Sequence, residues 1–214
     1  MAEEKEPQFV EDDDVARAKA FWKENGKSIV AGIAIGLSGI VGFNYWQSYE
    51  QYQGESASEL YDQIRPGVDA INAMTVAEEL KEEFSSSVYA SLGAFTLAKI
   101  FVEEGKPDLA AVELQWVLET TGNSGMRHIA RVRLASVYLS MENPQQVLEL
   151  LDGVDGESFS SRYHELMGDA YALRASNGDS GKARTEYQQS MEQLPDYAGQ
   201  SGLIRLKMEN LGDS

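Results

Sequence analysis

The feature that most constrains this chain is an uncharged stretch of 22 residues, from Ser28 to Tyr49. Its central part, 29–41, contains only Ile, Val, Leu, Ala, Gly and Ser. A helix of that length reaches about 33 Å, against roughly 30 Å of bilayer hydrocarbon. The sequence therefore predicts one transmembrane helix over 28–49. Aromatic rings suited to the two membrane interfaces flank it, namely Trp22, Phe43, Tyr45, Trp46 and Tyr49.

A cleavable signal peptide is the main alternative, because it also places an apolar stretch near the N-terminus. Here the stretch begins only after 27 residues, and it ends in Asn44-Tyr45-Trp46-Gln47 rather than in small residues three apart. We therefore expect the helix to remain attached to the mature chain.

The basic residues around the predicted span are distributed asymmetrically. Four precede it, and none follows it until Arg65. Because short cytoplasmic segments are rich in Lys and Arg, this asymmetry predicts an inside N-terminus and a translocated C-terminal domain, periplasmic in a Gram-negative cell. The predicted organisation is an acidic cytoplasmic tail at 1–27, the span at 28–49 and a periplasmic domain at 50–214. The four basic residues are Arg17, Lys19, Lys23 and Lys27.

Two features of the N-terminal region have both a structural and a functional interpretation. Gly32, Gly36 and Gly39 recur on one helix face, which either contacts lipid or receives another membrane helix. The acidic run 11–14 predicts a helix N-cap at Asp12 or Asp13, and it is either solvated or a cytoplasmic docking site. The sequence leaves both alternatives open.

Charge and composition exclude several classes of function. The net charge is −17, with −14 in the part after residue 27, and the only basic cluster there is Arg127, Arg131 and Arg133. Since nucleic-acid binding requires a basic surface, we predict no nucleic-acid partner. The chain has no cysteine, which excludes disulfides, thiol catalysis and Cys-ligated metals. His128 and His164 fit surface or packing positions better than metal ligands. We predict no cofactor, no metal and no enzymatic activity.

The part after the span predicts an all-α domain, because prolines are few and no alternating β-branched run occurs. The first of its helices is expected to continue from the membrane helix. The predicted helices cover 47–64, 68–83, 86–104, 107–121, 125–141, 144–152, 158–175, 180–193 and 196–210.

Pairs of these helices repeat along the sequence. Six positions recur with a displacement of 37 residues, among them Leu97-Ala98 with Leu134-Ala135 and Leu114 with Leu151. A third copy contains Gly168, Tyr171, Gly178, Ala183, Tyr187 and Pro195. The pattern resembles the tetratricopeptide repeat, in which a small residue on the first helix lets the second helix pack closely. The alternative is that these are core positions of an unrelated helical bundle.

Repeats of this kind hold partner segments in a concave groove lined by their first helices. The repeat positions predict a groove that is apolar at one end and charged at the other. Its apolar members are alternatively core residues covered by neighbouring helices. The predicted lining is Leu92, Phe95, Lys99, Val102, Ile129, Val132, Ser136, Leu139, Arg162, Glu165, Asp169 and Ala172.

The acidic tail, the Lys-flanked Gly-rich span and the helical domain together resemble the ancillary SecYEG translocon subunit family, also called the YfgM family. The resemblance runs the full length of the chain. Its most specific feature is the architecture rather than any short motif. The supporting segments are Ser87 to Leu92, Leu97-Ala98-Lys99, 105–111, 114–118 and Gly168-Asp169-Ala170-Tyr171.

The resemblance implies an inner-membrane protein that associates with the SecYEG translocon and with a PpiD-like periplasmic chaperone, and that assists exported protein clients. It also implies a link between the tail and a cytoplasmic response regulator. Two functions emerge as alternatives, a membrane-tethered scaffold or co-chaperone and a signalling adaptor. Removing residues 1–14 would separate them, because a scaffold would keep its membrane partners and an adaptor would lose its regulator.

Overall fold

The computed structural model describes residues 11–64, 69–174, 179–194 and 201–211. All regular elements in these ranges are helical, which confirms the predicted all-α class. A single 3-10 turn, Glu157–Phe159, precedes α7. The helices are α1 (Glu11–Tyr61), α2 (Ala70–Glu83), α3 (Val88–Glu103), α4 (Pro107–Thr120), α5 (Ser124–Ser140), α6 (Pro144–Leu151), α7 (Ser160–Leu173), α8 (Ser180–Glu192) and α9 (Ser201–Glu209).

The chain forms two compact units that divide after Tyr52. In its described part the first unit is helix α1 up to Tyr52, and the last residues of α1, 53–61, belong to the second unit. Because α1 is already helical at Glu11, Asp12 and Asp13 lie inside the helix, and the predicted N-cap at either of them is wrong. As expected, no new helix starts at residue 47, since α1 ends only at Tyr61.

Helix α1 contains the apolar stretch. Within the described residues, Val15–Tyr61 is the one helix long and apolar enough to cross a membrane, with a mean hydropathy of 1.6 in its 18-residue window. Only 6% of that window is buried, whereas the core helix of a soluble protein is mostly buried. Large side chains such as Ile35 and Val41 therefore lie exposed on the helix. This arrangement is consistent with a single-pass membrane protein.

The second unit contains three apolar clusters that follow one another along the chain. The first joins α2 to α5 around Leu80, Leu97, Leu114 and Leu134. The second lies between α5, α6 and α7 around Leu151 and Leu166, and the third joins α8 to α9. Because each helix packs mainly on its sequence neighbours, the arrangement is that of a repeat protein.

The turns between paired helices show the repeat directly. Gly105 and Glu142, which are 37 residues apart, both have positive φ, at 72° and 53°. The next amide nitrogens, of Lys106 and Asn143, donate to the carbonyls of Phe101 and Tyr138 at 2.7 and 2.9 Å. These hydrogen bonds close both helix ends in the same way. Glu142 thus adopts the left-handed conformation for which the first copy has glycine, and a proline begins the next helix in both copies.

The third helix pair is packed most tightly at Gly168. A Cβ atom added there would lie 2.5 Å from two ring carbons of Tyr187, so no larger residue fits without a shift. Tyr187 is buried, and its hydroxyl donates to Asp169 Oδ1 at 2.7 Å, which holds the ring in place. The close contact of Gly168 is therefore with Tyr187, and Ala183 lies buried in the same apolar cluster as Tyr187. Gly178 and Pro195 lie outside the described residues.

Candidate partner-binding groove

A cavity of about 760 Å³ opens on the surface formed by helices α3 and α5. Most of its lining is apolar, and Val102 remains 50% exposed in it. Six of the predicted groove residues line this cavity: Leu92, Phe95, Lys99, Val102, Ile129 and Ser136. The repeat positions also missed members of the lining. These include Tyr61, Met126 and Arg133, of which Tyr61 belongs to α1 and so lies outside the repeats.

Two cations and one carboxylate account for the charged groups in the lining. Lys99 Nζ lies 3.7 Å from Glu103 Oε1, one helical turn away on α3. The Arg133 guanidinium lies over the Phe95 ring, 4.6 Å from its centroid. The groove therefore combines an apolar floor with a cation–π pair at its surface.

Three hydroxyl groups in the lining donate hydrogen bonds to their own helices. Thr96 Oγ1 donates to the Leu92 carbonyl at 2.9 Å, and Ser136 Oγ donates to the Val132 carbonyl at 2.9 Å. Ser140 Oγ does the same to a carbonyl of α5 at 2.7 Å. The hydrogen atoms of these three hydroxyls are therefore already used within the protein.

Val132 and Leu139 do not line the cavity. Both are half-buried against the cluster between α5, α6 and α7. Phe95 is itself mostly buried beneath Arg133. A charged substitution at any of these three positions would disturb packing, so exposed lining residues such as Val102 are better probes of binding.

At the C-terminal end of the predicted groove, two acidic positions pair with Lys207 of helix α9. Lys207 Nζ donates to Glu165 Oε1 and to Asp169 Oδ2, at 2.7 Å in both cases. Arg162 forms a second ion pair with Glu165, whose side chain is only 5% exposed. Ala172 packs against the cluster that α9 joins. In this half the charged repeat positions are therefore engaged within the protein.

The ion pairs with Lys207 and Arg162 change the pKa of the Glu165 carboxyl group. Burial alone would raise the pKa of this carboxyl group. The hydrogen bonds and charges of Lys207 and Arg162 favour the ionised form more strongly, and the net effect lowers the pKa below its ordinary value. Glu165 is therefore held as a buried carboxylate in the folded domain.

The two histidines take part in packing and hydrogen bonding. His128 is buried, stacks on Phe159 with the ring centroids 5.2 Å apart, and shares a 2.7 Å hydrogen bond with the Tyr163 hydroxyl. His164 Nδ1 lies 2.7 Å from Glu186 Oε2. Among the described residues no group of His, Asp and Glu has an arrangement that could hold a metal ion.

The glycine face of α1 remains open in this single chain. A Cβ atom added at Gly32, Gly36 or Gly39 would meet no other atom within 4 Å. This geometry fits contact with lipid and contact with another helix equally well.

The fold and the groove define an all-α repeat protein with one apolar N-terminal helix. Its sequence matches the profile of the tetratricopeptide repeat-like domain over residues 19–213, and the chain belongs to this family. No solved structure gives a significant match to the chain.

Relatives of this chain carry the name ancillary SecYEG translocon subunit. The one from Escherichia coli K12 is 28% identical over 203 residues, covering 94% of this chain and 96% of the relative. The relative from Haemophilus influenzae is 28% identical over 209 residues, with 94% and 97% covered. The relative from Neisseria gonorrhoeae is 25% identical over 207 residues, with the same coverage.

Proposed function

We propose that this chain is an inner-membrane scaffold and co-chaperone that associates with the SecYEG translocon and assists exported proteins through its groove. The names of the relatives support the translocon as the site of action. The apolar helix supports a membrane anchor at 28–49. The four basic residues before it, and their absence directly after it, favour a cytoplasmic tail at 1–27 and a periplasmic domain at 50–214. Exported clients and a PpiD-like periplasmic chaperone are the proposed partners of the domain.

The single observation that carries the proposal is the open apolar cavity on α3 and α5. Its volume lies in the range of ligand-binding clefts, and its lining joins apolar side chains to a small number of charged groups. The role we propose for it is binding without chemical turnover, which the helical-repeat family and the name of the relatives support.

Site-specific photo-crosslinking tests where clients bind. A photoreactive residue in place of Val102, inside the cavity, should crosslink to exported proteins in cells. A photoreactive residue in place of Val112, which is 63% exposed on α4 outside the cavity lining, is the matched control and should crosslink much less. Equal crosslinking from the two positions would show that the groove is not the client site.

Protease protection tests the proposed orientation. Protease added to spheroplasts should digest the domain 50–214 and leave the tail protected. Survival of the domain would reverse the orientation, and a mature N-terminus beyond residue 46 would show that the apolar helix is removed.

A further inference from the structure

Arg133 is an unusual cation for this protein. The chain has 35 acidic and 18 basic residues, and cations of the second unit such as Lys81, Arg174 and Lys207 each pair with a carboxylate. Arg133 is exposed and lines the cavity, and within the described part of the chain its neighbour is an aromatic ring rather than an acid. Because the contact with the ring does not use the N–H donors of the guanidinium, Arg133 can still bind a carboxylate through two N–H groups.

The other charges of the lining do not compete for that role. Lys99 already faces Glu103, so this pair contributes little net charge to the groove. Arg133 is left as the cation that an incoming acidic group would meet. Charge complementarity therefore favours an occupant with a carboxylate among its apolar side chains.

The hydrogen-bonding character of the lining indicates the conformation of the occupant. An extended peptide exposes its own backbone N–H and C=O groups, and each must find a partner when it is buried. The hydroxyls of Thr96, Ser136 and Ser140 already donate to carbonyls of their own helices. An α-helix satisfies its backbone internally and needs only apolar contacts from such a surface.

We propose that the groove binds a short amphipathic α-helix of a partner protein, with an apolar stripe on the floor and an Asp or Glu side chain at Arg133. This inference rests on the proposed function and specifies its ligand. The α3 lining from Leu92 to Val102 extends about 15 Å at 1.5 Å per residue, which matches two to three turns of a bound helix.

Three labelled peptides test the inference with the full-length chain in lipid nanodiscs. Each is about 15 residues long, because shorter isolated helices are marginal in water. The first has a leucine stripe and a central Glu, the second has Lys in place of the Glu, and the third has a central Pro that breaks the helix. Fluorescence anisotropy, corrected with empty nanodiscs, measures binding.

The Glu peptide should bind about threefold to tenfold more tightly than the Lys peptide, as a partly exposed charge contact gives. The Pro peptide should bind at least about tenfold more weakly than the Glu peptide. Arg133→Glu should reverse the preference between Glu and Lys, and Arg133→Leu should abolish it. Arg205→Glu makes the same charge change on exposed α9 and should preserve the wild-type preference.

Several results would overturn the inference. Equal binding of the Glu and Lys peptides would contradict the recognition of a carboxylate by Arg133. Undiminished binding of the Pro peptide would contradict a helical ligand. Affinity that weakens as the chain concentration rises would show that a second copy occupies the groove. Absence of binding by all three peptides overturns the inference as well. Crosslinking from position 102 then decides whether the proposed function survives without it.

Discussion

The two halves of the predicted groove use equivalent repeat positions, but one half is an open cavity and the other is closed by ion pairs within the protein. On α3 and α5 these positions surround an open apolar cavity with a cation at its surface. On α7 the equivalent positions hold Arg162, Glu165 and Asp169, and Lys207 of α9 pairs with the two acids. The N-terminal half is an open cavity, whereas in the C-terminal half the acids pair with a lysine of the same chain.

A repeat pattern therefore identifies a surface, but it does not show whether the side chains of that surface are exposed or paired within the protein. The groove positions face the same side of each first helix, so the sequence predicts them together. Whether these groove positions are exposed depends on the segment that follows the last repeat and on where that segment packs. Here α9 also buries Ile204 in the third cluster, so apolar packing as well as ion pairing holds it over the charged half.

The contact between Gly168 and Tyr187 should be the most sensitive point of the closed half. Gly168→Leu should destabilise the domain by about 3 kcal/mol or more, because the buried and hydrogen-bonded ring cannot move away. Thermal unfolding of the full-length chain in mild detergent measures the effect. Gly181→Ala, at a helical glycine with open space around it, is the control and should leave the melting temperature unchanged or slightly raised.

Wild-type melting for Gly168→Leu would contradict the close packing of α7 and α8. If the variant melts early and yet crosslinks to clients from position 102 as before, the open half works independently of the closed one.

The ion pairs of Lys207 should give the next largest effect. Lys207→Met keeps the apolar stem but leaves the buried Glu165 with only Arg162, and we expect a loss of about 1–3 kcal/mol. Hydrogen exchange of α9 should increase more than that of α3. Exchange that rises equally in both helices would show that α9 does not act as a local cover.

Lowering the pH should destabilise the domain as Lys207→Met does. Because the folded-state pKa of Glu165 lies below its ordinary value of 4.5, its contribution to stability is complete above that value and is lost as the pH falls through the folded-state pKa. The stability difference between wild type and Lys207→Met should therefore be largest near neutral pH and shrink below about pH 4. Denaturation at several pH values measures it, and a difference that is constant down to pH 3 would exclude Glu165 as its source.

A substitution at the left-handed turn of Glu142 should change the stability of the domain least, and it should increase it. Glu142→Gly relieves the strain of a positive φ and should stabilise the domain by roughly 0.5–1 kcal/mol. Gly105→Glu makes the reverse change at the equivalent turn and should destabilise by a similar amount. Denaturant titration compares the pair, and the same direction of change in both variants would argue against equivalent turns.

The apolar helix, the all-α class and the position of most helices could be predicted from the sequence. These depend on local properties: an uncharged run of bilayer length, helical periodicity, and proline at the first position of α4 and α6. The displacement of 37 residues also relates the two turns at Gly105 and Glu142, which the structure shows to share one geometry although glycine occurs in only one of them. Such features depend only on residues that are close together in the sequence.

Which groove positions are exposed, and which are packed or paired within the protein, depends on the tertiary structure. Lys207 is 42 residues from Glu165, and no repeat position links the two. Arg133 lies beside the predicted lining in sequence, but only packing of α5 against α3 places its guanidinium over Phe95. Val132 and Leu139 occupy groove positions in the repeat pattern and yet pack toward α6 and α7. Contacts between distant residues depend on how helices stack, and a local pattern does not contain that information.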